Sequence, residues 1–146
     1  MAQARRYRGG RDPERGAAAV EFAIIAMLFF TLVMGAIEWG WYFFIHQRVV
    51  NAAREGARAG TLLEPPPDTD EATAEGWAQE AAEDYLQQAD LDRSGVTATY
   101  ELIGGAGGVD AIRVDIEYPI ESLTGFFDGS GLLPTHARAT SVMRWQ

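Results

Sequence analysis

The chain has 146 residues and a formal net charge of −9, and this charge is unevenly distributed. Residues 1–16 hold five arginines, one aspartate and one glutamate, a net +3, which leaves −12 on residues 17–146. Because an acidic body repels phosphates, this composition argues against a nucleic-acid-binding protein. The absence of cysteine excludes disulfides, thiol nucleophiles and cysteine-ligated zinc.

The first predicted element is a membrane-spanning helix over residues 22–45, in which Glu38 is the only charged residue. Such a helix is about 36 Å long, enough to cross a hydrocarbon core of roughly 30 Å. Five arginines precede the helix and three follow it closely, so the positive-inside rule places the N-terminus in the cytoplasm. The apolar run is longer than that of a secretory signal peptide, and the small residues precede it.

A stripe of small residues then continues at helical spacing, which predicts that the helix extends to about residue 61. Such a stripe lets another element approach the backbone closely. That element is either the chain's own sheet, which we favour, or a neighbouring helix. Three prolines at 65–67 end the helix. The members of the stripe are Val49, Ala52, Ala53, Gly56, Ala57 and Gly60.

A second amphipathic helix and a three-stranded antiparallel sheet are predicted for the rest of the chain, which gives an α+β fold. Alternating apolar residues predict strands at 96–103 and 109–118, joined as a hairpin across a glycine cluster. A third strand is expected within residues 135–145. The second helix is expected to bury Ala74, Trp77, Ala78, Ala81, Tyr85, Leu86 and Ala89.

The sequence offers little for catalysis or metal binding. His46 and His136 lie in no recognisable motif, and no serine has a nucleophile-elbow context, so we expect neither an enzyme nor a cofactor. Residues 90–101 resemble a calcium loop in spacing, but serine replaces the third acid and a strand follows where an EF-hand needs a helix. We therefore favour a plain turn. The ligands of such a loop would be Asp90, Asp92, Ser94 and Glu101.

The region around Gly16 carries a more specific pattern. A basic leader, Gly16, then "AAAVEF" at 17–22 and a long apolar run resemble the class III signal of type IV prepilins. Together with "NAAREGARAG" at 51–60, the pattern resembles the TadE-like family, the pseudopilins of the Tad/Flp tight-adherence pilus system. The resemblance covers about residues 15–61.

The resemblance implies a pilin-like α+β architecture and a prepilin peptidase that cuts between Gly16 and Ala17. It implies that Glu21, next to Phe22, registers the subunit against the N-terminal ammonium of a neighbouring subunit. Phe22 stands where major Flp pilins usually have tyrosine, and those subunits are much shorter, so the chain is similar to a minor subunit. The alternative is that Glu21 is an ordinary helix-end acid that faces water.

The resulting expectation has three parts: a cleaved cytoplasmic leader at 1–16, a transmembrane and extended helix at 17–61, and a small exterior domain at 62–146. The implied partners are prepilin peptidase, other pilus or pseudopilin subunits and the lipid bilayer. The implied location is the cytoplasmic membrane, crossed once, and a surface pilus after assembly. A competing hypothesis is a permanently tethered exterior binding module that never enters a filament.

Overall fold

The computed structural model describes residues 13–62, 70–92, 97–105, 108–127 and 129–145. Most of the basic leader, the prolines at 65–67 and Ser94 lie outside these residues. The elements are α1 (Pro13–Gly60), α2 (Glu71–Gln88), β1 (Thr97–Gly105), β2 (Gly108–Pro119) and β3 (His136–Arg144). The three strands form one antiparallel sheet in the order β1-β2-β3. The predicted α+β fold is therefore confirmed.

The chain divides into two compact units, Met1–Ile37 and Glu38–Gln146. In the first unit, α1 begins at Pro13, whose missing N–H and fixed φ suit the first helical position. We call residues 17–37 the apolar segment. Most of its side chains are exposed, including Phe22 at 72% and Met27 at 75%. An exposed surface this apolar needs a nonaqueous environment or a protein partner.

The second unit, which we call the folded unit (residues 38–146), consists of the remainder of α1, α2 and the sheet. Its core combines small residues of both helices with the branched residues of β2. Ile45, expected at the end of the membrane helix, is instead buried in this core, with 3% of its surface exposed. The fully buried β-branched residues of β2 are Ile112, Val114 and Ile116.

The small-residue stripe of α1 packs mainly inside the folded unit. A Cβ atom added to Gly56 would lie 2.8 Å from the backbone oxygen of Ala78 in α2. A Cβ atom added to Gly60 would lie 2.7 Å from Cδ1 of Ile112 in β2 and 3.2 Å from Cβ of Ala78. The stripe thus meets both α2 and the sheet, whereas the sequence led us to favour the sheet. Its buried members are Val49, Ala52, Ala53, Gly56, Ala57 and Gly60.

The prediction of which α2 residues are buried is wrong at one large residue. Trp77 is 48% exposed, and the buried positions are Ala74, Ala78, Ala82 and Leu86. The reason is the close approach of α2 to α1, where alanines face glycines and no room remains for an indole. The buried face therefore rotates toward Ala82, and Trp77 lies at its margin.

The outer face of the sheet carries paired polar side chains. Arg138 Nη2 lies 2.8 Å from Glu117 Oε1 across β2 and β3, and this hydrogen bond lowers the pKa of Glu117. Arg113 Nη1 lies 3.2 Å from Glu101 Oε2 across β1 and β2. Since Ile112, Val114 and Ile116 are buried, β2 has one apolar face toward the core and one polar face toward solvent.

Candidate functional site

The processing and registration residues of the sequence prediction lie on the exposed N-terminal part of α1. Gly16 is helical and exposed, and a Cβ atom added there would meet nothing within 4 Å. Packing among the described residues therefore does not require glycine at this position, in contrast to Gly56. Ala17 follows Gly16 in the first turns of α1 and is exposed too.

Glu21 is exposed, and within the described part of the chain it has no hydrogen-bond or ion-pair partner. The adjacent Phe22 is also exposed, at 72%. Both side chains are thus available to a molecule outside this chain. Glu21 lies about two turns inside α1, which begins at Pro13, and the favourable effect of the helix dipole falls off within the first turn.

A second acidic residue of α1, Glu38, has the opposite environment, and sequence reasoning missed its role. Glu38 is 2% exposed, and its carboxylate accepts four hydrogen bonds from one loop between β2 and β3. We call residues 120–135 the Glu38 loop. Its donors are Ser122 Oγ at 2.8 Å, Leu123 N at 3.1 Å, Thr124 N at 2.7 Å and Thr124 Oγ1.

The hydroxyls that bind Glu38 also shape the loop. Ser122 Oγ accepts a hydrogen bond from Gly125 N at 2.9 Å, and Thr124 Oγ1 accepts one from Phe126 N at 3.2 Å. Each hydroxyl therefore donates its proton to the carboxylate and accepts from the turn that follows. Gly125 has a φ of +71°, a conformation that favours glycine. Local turn chemistry thus presents two hydroxyls and two backbone amides to one carboxylate.

Two further contacts fix the Glu38 loop. Trp41 Nε1 donates to the backbone oxygen of Glu121 at 3.2 Å, and Ile120 N donates to the backbone oxygen of Thr135 at 2.8 Å. A groove of about 300 Å³ lies beside these contacts, with Trp41, Tyr42 and Phe127 among its lining residues. The loop is thus held by polar contacts from Glu38 and Trp41 and by Ile120, which packs against the core.

The signal that could have revealed this site was present in the sequence. An acidic residue inside an apolar helix needs a partner, since a buried unpaired carboxylate is unfavourable. The candidate partners, Ser122 and Thr124, are 84 and 86 positions away. Neither periodicity nor local spacing links residues at that separation, so only the folded structure brings them together.

The residues of the weak calcium motif are not arranged as a calcium loop among the described positions. Asp90 has a φ of +54° at the end of α2, and β1 begins at Thr97. Glu101 lies in β1 and pairs with Arg113, while Ser94 is outside the described residues. Among the residues that the structure describes, no group of three or more His, Cys, Asp or Glu could hold a metal ion.

The deciding comparison concerns the same N-terminal part of the chain. Residues 16–58 match the family model for TadE-like proteins. This match confirms the resemblance and indicates a protein associated with the Tad pilus. It contains Gly16, Glu21 and Glu38, and it ends inside the small-residue stripe. No curated protein and no solved structure shows significant similarity to the chain.

The TadE-like segment also fits membrane anchoring. Within the described residues, one helix is long and apolar enough to cross a bilayer, with a mean hydropathy of 2.4 over its most apolar window. None of that window is buried inside the structure. A core helix of a water-soluble domain would be largely covered by its own chain, so the exposure favours a lipid-facing anchor.

Proposed function

We propose that this chain is a TadE-like pseudopilin, a membrane-anchored minor structural subunit of a Tad/Flp-type pilus or of its assembly and secretion complex. One observation carries the proposal: the family match at 16–58 coincides with an apolar helix whose N-terminal half is exposed. The TadE-like family is structural and pilus-associated, so the proposed role is assembly rather than catalysis. The proposed partners are other pilus or pseudopilin subunits.

The proposal includes processing by a prepilin peptidase between Gly16 and Ala17. The open surroundings of Gly16 support it, because a glycine with no packing role is available for recognition by another protein. Cleavage there leaves a free ammonium on Ala17, four residues before Glu21. The basic leader then remains on the cytoplasmic side, and the folded unit lies outside.

The N-terminal sequence of the protein recovered from membranes of its native host tests the proposal. We expect Ala17 as the first residue, and we expect Gly16→Leu to leave a larger, uncut species. Gly40→Leu is the matched control, because Gly40 is also in α1 and a Cβ atom there also meets nothing within 4 Å. An intact leader in wild-type cells with an active prepilin peptidase would favour the competing hypothesis of a tethered exterior module.

A further inference from the structure

The Glu38 loop is fixed to α1 at the residue where the apolar segment ends. Ile37 is the last residue of the first compact unit, and Glu38 is the first residue of the folded unit. The four hydrogen bonds to the Glu38 carboxylate therefore hold the loop at the first turn of α1 in the folded unit. A bilayer or a protein that covers residues 17–37 therefore ends close to this turn, measured along the helix.

The exposed large apolar side chains of the folded unit are concentrated in two segments. Nine such residues are exposed in its described part, and six of them lie in residues 39–44 or in the Glu38 loop. The loop members are 54 to 64% exposed, although they belong to a segment anchored by a buried carboxylate. The six residues are Trp39, Phe43, Phe44, Leu123, Phe126 and Leu132.

Charge is scarce in the same two segments. Residues 39–44 contain no Asp, Glu, Lys or Arg, and the 16 residues of the Glu38 loop contain two acids, at positions 121 and 128, and no base. The chain as a whole has 33 such residues in 146, so these segments are depleted of charge relative to the rest. The polar groups that remain in the loop are chiefly hydroxyls and backbone amides. Such a surface is suited to the boundary between lipid headgroups and acyl chains, where Trp and Tyr are enriched.

We propose that the Glu38 loop is a lipid-contacting element that rests on the membrane interface on the side of the folded unit. The spanning segment is then residues 17–37, about 31 Å as a helix, rather than residues 22–45. Glu38 then lies at the interface, so its charge avoids the unfavourable placement of an acid at the bilayer centre. This inference rests on the membrane anchoring in the proposed function.

Site-directed spin labelling of the full chain tests the inference, and the absence of native cysteine makes single labels unambiguous. Phe126→Cys and Leu132→Cys place labels in the loop. Ile25→Cys is the lipid-facing reference in the apolar segment, and Val142→Cys is an exposed reference on β3. All four native side chains are at least 49% exposed, so none of the substitutions removes a core contact.

The labelled chains are reconstituted in vesicles of phosphatidylcholine and phosphatidylglycerol, and collisions with oxygen and with a water-soluble nickel complex are measured. We expect the oxygen-to-nickel collision ratio at positions 126 and 132 to exceed that at position 142 several-fold. It should approach the ratio at position 25. Oxygen concentrates in the acyl region, whereas the nickel complex stays in water.

Three results would overturn the inference, and they are distinguishable. Equal collision ratios at positions 126, 132 and 142, with a lipid-like ratio at position 25, would show that the loop is not at the interface although the anchor is in the membrane. A water-like collision ratio at position 25 would show that the apolar segment is not in the membrane, which would contradict the proposed anchoring as well. Shielding of the loop labels from both reagents, relieved by dilution with unlabelled chain, would show that a second copy covers the loop.

Discussion

Glu21 and Glu38 are two acids on one helix, and they differ in exposure and in hydrogen-bond partners. Glu21 is exposed and lacks a partner within the described part of the chain, so its charge is available to another molecule. Glu38 is enclosed by a loop of its own chain, and its carboxylate oxygens are occupied by four donors. The sequence offers no such distinction, since both residues are single acids in apolar surroundings.

The first prediction concerns the hydroxyl of Thr124. Thr124→Ala removes an O–H donor to Glu38 and an acceptor for Phe126 N, but leaves the two backbone donors in place. We expect faster amide hydrogen exchange at Leu123, Thr124 and Phe126, because these amides then open more readily. Exchange in the core strand β2 should be unchanged, since Thr124 is not part of the buried cluster.

Ser130→Ala is the matched control for Thr124→Ala. Ser130 lies in the same loop, and its Oγ accepts from Leu132 N at 3.1 Å without contacting Glu38. Loss of the Ser130 hydroxyl should leave amide hydrogen exchange at Leu123 and Thr124 unaltered. If Ser130→Ala and Thr124→Ala accelerate those two amides equally, the loop would be held by its own turns and not by Glu38.

At the scale of the elements, α1 and α2 approach closely because the residues between them are small. Gly56 faces the backbone oxygen of Ala78 and the Cβ atom of Ala82, so a methyl group there would contact backbone rather than a movable side-chain end. Gly40 is in the same helix, and a Cβ atom there has open space. The two glycines look equivalent in the sequence and differ only in their packing environment.

The second prediction is that Gly56→Ala lowers the free energy of unfolding of the folded unit by about 1–3 kcal/mol, the usual cost of overpacking a core. The gain in helix propensity of up to about 1 kcal/mol offsets part of this cost. Gly40→Ala should be neutral or slightly stabilising for the same reason. Denaturant unfolding of the full chain in detergent measures both variants, and equal stability of the two would contradict the close packing.

Much of the architecture could be predicted from local patterns. The predicted strands at 96–103 and 109–118 agree within two residues with β1 at Thr97–Gly105 and β2 at Gly108–Pro119. Alternation with period two, interrupted by glycine, is sufficient to find a hairpin because both signals are local. The small-residue stripe of α1 was also visible, because periodicity within one helix identifies its buried face.

Features that depend on contacts between distant segments could not be predicted. The rotation of the α2 face away from Trp77 depends on the glycines of α1, which no pattern within α2 reveals. The burial of Ile45 depends on the folded unit that surrounds it, whereas hydropathy alone assigned it to the membrane. The Glu38 loop depends on a pairing over more than 80 positions.

At the scale of the whole molecule, the charge distribution and the apolar segment support one orientation. Five arginines precede the apolar segment and three follow it closely, so the positive-inside rule favours the proposed orientation, with the leader on the cytoplasmic side. On this model the exposed Glu21 enters an apolar environment near the N-terminal end of the helix. A carboxylate there is stabilised by an ammonium, and the proposed cleavage after Gly16 would create one on each subunit.

The last prediction tests that pairing. Glu21→Gln keeps the shape and hydrogen-bonding capacity of the side chain and removes its charge. We expect membrane insertion to be retained, because an uncharged side chain costs less in lipid. Cleavage after Gly16 should continue, since the residues at the cut are unchanged. Crosslinking to other pilus subunits, and the amount of protein in sheared surface fractions, should fall.

Glu21→Lys sharpens the test, because it places two like charges together where the pairing model requires opposite ones. We expect it to reduce assembly more than Glu21→Gln does. Glu55→Gln is the matched control: Glu55 is another acid of α1, and it pairs with Arg58 of its own chain at 2.5 Å. Its substitution should leave assembly at the wild-type level. Wild-type assembly by cleaved and inserted Glu21→Gln would make Glu21 an ordinary helix-end acid, and the tethered exterior module would then explain the chain better.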